Sequence, residues 1–168
     1  MKTISFLAAG MIAAAVSSGA FAQGADQKFA KEAVEGNLAE VKMGQLAQQN
    51  GACQGVKDFG QMLATDHGQA NTKAHNVAQS LNMTPPSEPN AKQKKEYDKM
   101  SKMNGAAFDK AFAQHMVADH KKDIAAYQKA AKSKNQTIAG YANETLPTLQ
   151  KHLQAAQSLH KGGRSATR

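Results

Sequence analysis

Two nine-residue stretches, 59–67 (FGQMLATDH) and 112–120 (FAQHMVADH), share a pattern: Phe, Gln two places on, an apolar pair, then Asp-His. Adjacent carboxylate and imidazole can ligate a metal ion, do acid–base work or lock a buried hydrogen-bond network. Three further residues join them: Glu40 and Asp123, set among apolar neighbours, and His152, eight residues before His160. At 100° per residue, His67 falls in the middle of a face formed by Val56, Leu63, Ala70, Ala74 and Leu81. His120 falls between Met116 and Ile124, with Asp119 and Asp123 inside the same face. His152 lies on the flank of a face set by Ile138, Ala142, Leu149, Leu153 and Ala156. Glu40 intrudes on a face of Ala33, Val34, Val41 and Ala47, while Glu32 and Glu35 point away.

A buried carboxylate or imidazole must be satisfied, because an unpaired charge inside a protein costs several kcal/mol. A metal ion held by Glu40, His67, His120 and His152 does this. Asp66, Asp119 and Asp123 then serve as further ligands or as acceptors that orient the rings. A network of Asp-His hydrogen bonds without metal does it equally. The Glu-x-x-His spacing of di-iron bundles is absent, and adjacent Asp and His diverge by 100°, so one of each pair leans to the rim. This favours one small mixed nitrogen and oxygen site, suited to iron, zinc, manganese or copper. No Ser or Cys nucleophile has a partner His at readable spacing, and no phosphate loop is present. Catalysis is therefore the weaker expectation.

The elements that must position these residues read as all-α. Ala, Gln, Lys and Met are abundant and Trp is absent; that is helix-forming chemistry, poor in the residues strands prefer. Helices are predicted over 26–49, with Asp26 as N-cap, and over 54–82, 106–132 and 136–160. Asn50-Gly51, Asn104-Gly105 and the residues around Ser133 mark the breaks. Pro85, Pro86 and Pro89 interrupt the middle, and a short helix over 91–103 follows them. Two tight connections and one long one predict a ferritin-like four-helix bundle with a long link between helices two and three. An up-down-up-down bundle is the alternative. Pro147 either bends the last helix or splits it, with Thr145 capping the second piece.

Residues 1–22 read as a secretory leader: Met1-Lys2, a short apolar run over 4–16 and Ala20-Phe21-Ala22 as the cleavage site. The bundle domain is expected over 23–161 and a flexible tail over 162–168. Export to a bacterial periplasm follows, possible contact with the outer membrane included. Cys53 is the single Cys, which excludes an internal disulfide. The chain carries 21 Lys plus Arg against 13 Asp plus Glu. Lys92, Lys94, Lys95, Lys99 and Lys102 form one basic stretch, and Lys129, Lys132 and Lys134 another. They suit weak contact with an anionic envelope surface or simply form a solvated face. Nucleic acid is not expected: no module is recognisable and stacking aromatics are scarce.

The order of several motifs resembles a bacterial family, domain of unknown function 4142. They are Asn37-Leu38-Ala39-Glu40-Val41; Val56-Lys57-Asp58-Phe59 leading to Met62 and Asp66-His67; Pro85-Pro86; Phe108-Asp109 leading to Phe112, Met116 and Asp119-His120; and Leu146-Pro147-Thr148-Leu149 leading to His152-Leu153. The likeness covers about residues 29–159. It implies a ferritin-like bundle and export, and no activity. The Asp-His pairs are also similar to the Met-x-x-His-His motifs of a second exported family of helical bundles. Two functions are thus expected. One is an exported bundle binding metal for storage, buffering or protection against stress. The other is a non-catalytic envelope protein whose Asp-His pairs only stabilise it.

Overall fold

The computed structural model describes residues 17–165, with side chains between 23 and 162. All five elements are helices: α1 (Ser17–Asn50), α2 (Gln54–Ser80), α3 (Ala91–Met100), α4 (Gly105–Ala130) and α5 (Gln136–Ser165). No strand occurs among the described residues. No described helix is long and apolar enough to cross a membrane. Most of the expected leader, residues 1–16, and the end of the expected tail, 166–168, lie outside the described residues.

α1 and α2 form one hairpin and α4 and α5 another. The hairpins meet through α2 against α5 and α1 against α4. Long-range pairs fix the directions. Gln27, early in α1, donates to the Leu81 carbonyl just past the end of α2, while Gly51, just past α1, bridges Gly105 at the start of α4. The link over 81–104 therefore spans the length of the bundle, and α2 and α4 run the same way.

Local chemistry explains the breaks. After α2, Asn82 takes φ 57°, a left-handed turn that Asn tolerates. The Met83 amide then reaches the Ala78 carbonyl at 3.1 Å and the Asn82 amide reaches Gln79 at 2.9 Å, so carbonyls orphaned at the helix end are satisfied. Asn90 caps α3 in a reciprocal box with Gln93. Asp109 accepts from the Ala52 and Cys53 amides, both at 2.9 Å, tying the α1–α2 turn to α4. Cys53 is exposed.

Three expectations about the elements are corrected, and of the two alternatives at Pro147 one is excluded. Asp26 does not cap α1, because the helix already runs from Ser17; its carboxylate accepts from the Ser133 hydroxyl at 2.8 Å instead. α3 stops at Met100, where the Ser101 amide closes the turn on Tyr97, rather than at 103. Pro147 does not split α5: Thr145 turns its hydroxyl back to the Tyr141 carbonyl at 2.8 Å instead of capping a new segment. α5 also continues past 160 to Ser165, since adding residues to a formed helix is easy compared with starting one.

The apolar interior comes in two parts. One gathers Val34, Val77, Ile138, Leu149 and Tyr127. The other gathers Met43, Leu63, Phe108, Phe112, Met116 and Ala156. Every long helix crosses from one to the other, and the polar residues of interest sit on the crossing.

Candidate metal centre

Each helix brings its polar residue to the same slice. On α2, His67 lies between Leu63 of one core and Ala74 of the other; on α4, His120 lies between Met116 and Tyr127; on α5, His152 lies between Leu149 and Ala156. The three imidazoles are 4 %, 0 % and 0 % exposed, so His152 lies in the core and not on a flank. One ring nitrogen from each lies within 4.8 Å of the other two. Ring centroids stand 5.8 Å (His67–His120), 5.2 Å (His67–His152) and 5.3 Å (His120–His152) apart.

The hydrogen bonds of these rings decide where their protons sit. His120 Nδ1 meets the Met116 carbonyl at 3.0 Å; a carbonyl only accepts, so Nδ1 carries the proton. His152 Nε2 donates to Asp66 Oδ2 at 2.9 Å. His67 Nδ1 lies 2.9 Å from Asn37 Oδ1, and the Asn37 amide nitrogen donates to the Tyr141 hydroxyl at 3.0 Å, which leaves Oδ1 as acceptor. Each neutral ring therefore spends its N–H outward and keeps a lone pair inward. His120 Nε2 and His152 Nδ1 face each other at 3.3 Å, and His67 Nε2 is buried with no partner among the described residues.

Protonating a ring would relieve this, but the surroundings oppose it. Burial, then the charges of His120 and His152, hold His67 well below the usual imidazole range. Burial and His152 lower His120 to about 4, against the pull of the Met116 carbonyl and Asp119. Burial also lowers His152, although Asp66 works the other way. Three inward lone pairs without protons are a nitrogen cradle for a cation. Metal–nitrogen bonds of ~2.0–2.1 Å at tetrahedral angles put neighbouring nitrogens roughly 3.3–3.4 Å apart, the spacing His120 and His152 already have.

The carboxylates named from the sequence take other places. Asp66 orients His152 across the α2–α5 seam rather than its neighbour His67. Glu40 is 2 % exposed but is not one of the converging group. Burial, Asp119 and Asp123 push its carboxyl well above the usual range. Asp119 and Asp123 are half-buried on α4. A cavity of about 110 Å³, lined by His67, Asn37, Asp119 and Asp123 among others, joins them to the triad. Glu35, expected to point away, is buried at 7 %. It pairs with Lys31 at 2.7 Å and accepts from Asn90 at 3.4 Å, because the chain entering α3 covers this face of α1.

Sequence reasoning missed Asn37 and Tyr141. Both lie on apolar faces, and the signal was there: a buried amide and a phenol each need partners. Tyr127 joins them, its hydroxyl 3.2 Å from that of Tyr141.

No curated protein and no solved structure matches the chain. The model of the family described as domain of unknown function (DUF4142) matches residues 11–159. That is most of the sequence, and the chain belongs to this family.

Proposed function

We propose that this chain is an exported metal-binding bundle that holds one transition-metal ion through His67, His120 and His152. One observation carries the reading: all three rings commit their N–H outward, so three lone pairs converge in a space that disfavours protons. Asp66, Asn37 and the Met116 carbonyl fix the tautomers, as the outer partners of metal-binding histidines generally do. A set of three imidazoles suits zinc, copper or iron better than manganese. A cavity of about 110 Å³, lined by His67 and Asp119 among others, lies beside the triad. We read the role as storage, buffering or protection against metal or oxidative stress.

The helix order supports a ferritin-like arrangement: one long link joins two parallel helices, and neighbours are otherwise antiparallel. Export rests on the character of residues 1–22, and envelope contact on the exposed lysines of α3. Recovery of the chain from the periplasm with Gln23 at its N-terminus would check the former.

The test of the metal reading is the metal content of the purified chain. About one zinc, copper or iron per chain is expected, together with the visible absorption of a tetrahedral site after cobalt(II) substitution. His67→Ala and His120→Ala should each lose the metal and the spectrum. A metal-free chain that takes up no cobalt, with the variants changed only in melting temperature, would mean that the rings serve the fold alone.

A further inference from the structure

We infer that Tyr141 is a positioning residue for the histidine triad: acting through Asn37, it sets which nitrogen of His67 carries the proton, and so whether His67 can bind a metal. The inference rests on the metal reading above and deepens it.

The relay passes through all four long helices. Tyr127 of α4 meets Tyr141 of α5 hydroxyl to hydroxyl at 3.2 Å. The Asn37 amide nitrogen, on α1, donates to the Tyr141 hydroxyl at 3.0 Å. Asn37 Oδ1 stands 2.9 Å from Nδ1 of His67 on α2. Asn37 and Tyr141 are 3 % and 4 % exposed, so bulk water does not stand in for either partner. A phenol has one proton to give. The Ala70 carbonyl, which only accepts, takes that of Tyr141 at 3.4 Å. Burial pushes both phenols above their usual range, so each keeps its proton. The Tyr141 oxygen is left to accept. An acceptor there fixes the Asn37 amide with its nitrogen on Tyr141 and its oxygen on His67. His67 must then hold its proton on Nδ1 and keep the Nε2 lone pair inward.

This orientation works against the preference of the metal-free interior. His67 Nε2 is buried with no hydrogen-bond partner among the described residues, and ligand nitrogens of His120 and His152 lie within 4.8 Å of that of His67. If the Asn37 amide turned over, its nitrogen would donate to Nδ1 and the ring proton would move to Nε2. That proton would face the neighbouring lone pairs and satisfy a buried atom. The turned-over form is therefore the better satisfied one without metal, and it blocks metal, because the proton takes the ion's side of the ring. Tyr141 opposes it: the turned-over amide would set its oxygen against a phenol oxygen whose proton is committed to Ala70.

Nitrogen–proton correlation spectra of the imidazoles test this in the purified metal-free chain at about pH 8, where the neutral ring prevails. The His67 signals are assigned by their loss in His67→Ala. The unsubstituted chain should carry the His67 proton on Nδ1, and Tyr141→Phe should move it to Nε2. Asn37→Asp supplies a carboxylate, which only accepts and needs no partner to orient it. Combined with Tyr141→Phe, it should return the proton to Nδ1. Zinc affinity, from competition with a chelator, should fall roughly 10–100-fold in Tyr141→Phe, the range for outer partners of metal-bound histidines, and recover in the double variant. A His67 proton that stays on Nδ1 in Tyr141→Phe would overturn the inference. A double variant no better than Tyr141→Phe would assign the effect to packing and overturn it too, as would a moved proton with unchanged zinc affinity. If the unsubstituted chain takes up no zinc, the metal reading fails, while the spectra still decide whether Tyr141 sets the tautomer.

Discussion

Asp66 and His67 are chain neighbours, yet the carboxylate serves His152, one helix away, at 2.9 Å. His67 is held by Asn37 from a third helix. The Asp-His pair thus works as a splitter: one residue supplies a ring to the interior, the other an acceptor for the ring of a neighbouring helix. If the acceptor matters to the metal, Asp66→Asn should weaken zinc binding ~10–100-fold, the range for partners of metal-bound histidines. An amide can accept from Nε2 through its oxygen, so folding should hold. Competition against a chelator of known affinity measures it. Unchanged affinity would mean that Asp66 only fills the seam. Among the described residues Asp119 makes no hydrogen bond to a ring, so the second Asp-His pair differs from the first in arrangement though not in letters.

At the scale of the element, glycines set how closely α1 and α2 pack. α1 and α2 cross closely at Gly44 and Gly60: a Cβ on Gly60 would stand 2.6 Å from the Gly44 carbonyl oxygen and 2.8 Å from the Ala47 side chain. Backbone cannot yield as a side-chain tip can. Gly60→Ala should therefore lower the melting temperature despite its better helix propensity. Gly140 on α5 has nothing within 4 Å of its added Cβ, so Gly140→Ala should stabilise by about 0.5–1 kcal/mol. Thermal melts of the two variants side by side check both signs; stabilisation by Gly60→Ala would refute the close crossing. At this scale much could be read from letters. The breaks at Asn50-Gly51, the prolines and Asn104-Gly105 carry their own turn chemistry, and the inward faces of α2 and α4 follow from period. What could not be read depends on partners. Glu35 looks outward on a wheel until α3 covers it. Asn37 looks neutral until Tyr141 and His67 arrive from elsewhere in the fold. Thr145 looks like a cap until its hydroxyl finds the Tyr141 carbonyl. The grouping of His67, His120 and His152 without Glu40 is likewise a matter of distances between helices, which periodicity along one helix does not contain.

Across the whole molecule, two apolar cores flank one polar slice, and the two halves of that slice titrate in opposite senses. The histidines are held below their ordinary 6.5, His120 at about 4. The unfolded chain therefore binds more protons than the folded one between those values, and stability falls as pH drops from 6.5 towards 4. For His120 the difference corresponds to roughly 3 kcal/mol. The carboxyls run the other way. Asp123 is raised from 3.8 to about 7 and Glu40 is raised by burial. There the folded chain holds protons that the unfolded one has lost, and stability falls as pH rises from 3.8 towards 7. In the metal-free protein the slopes oppose each other over the same window. Removing one should expose the other. Asp123→Asn cannot ionise, so between pH 4 and 7 its stability should climb more steeply with pH than that of the unsubstituted chain, and its advantage should be greatest near pH 7. Denaturant unfolding at several pH values, in the presence of chelator, reads this directly. Parallel profiles for the two proteins would show that Asp123 is solvated as it would be in the unfolded chain, and the acidic half of the slice would then be a surface feature rather than part of the interior.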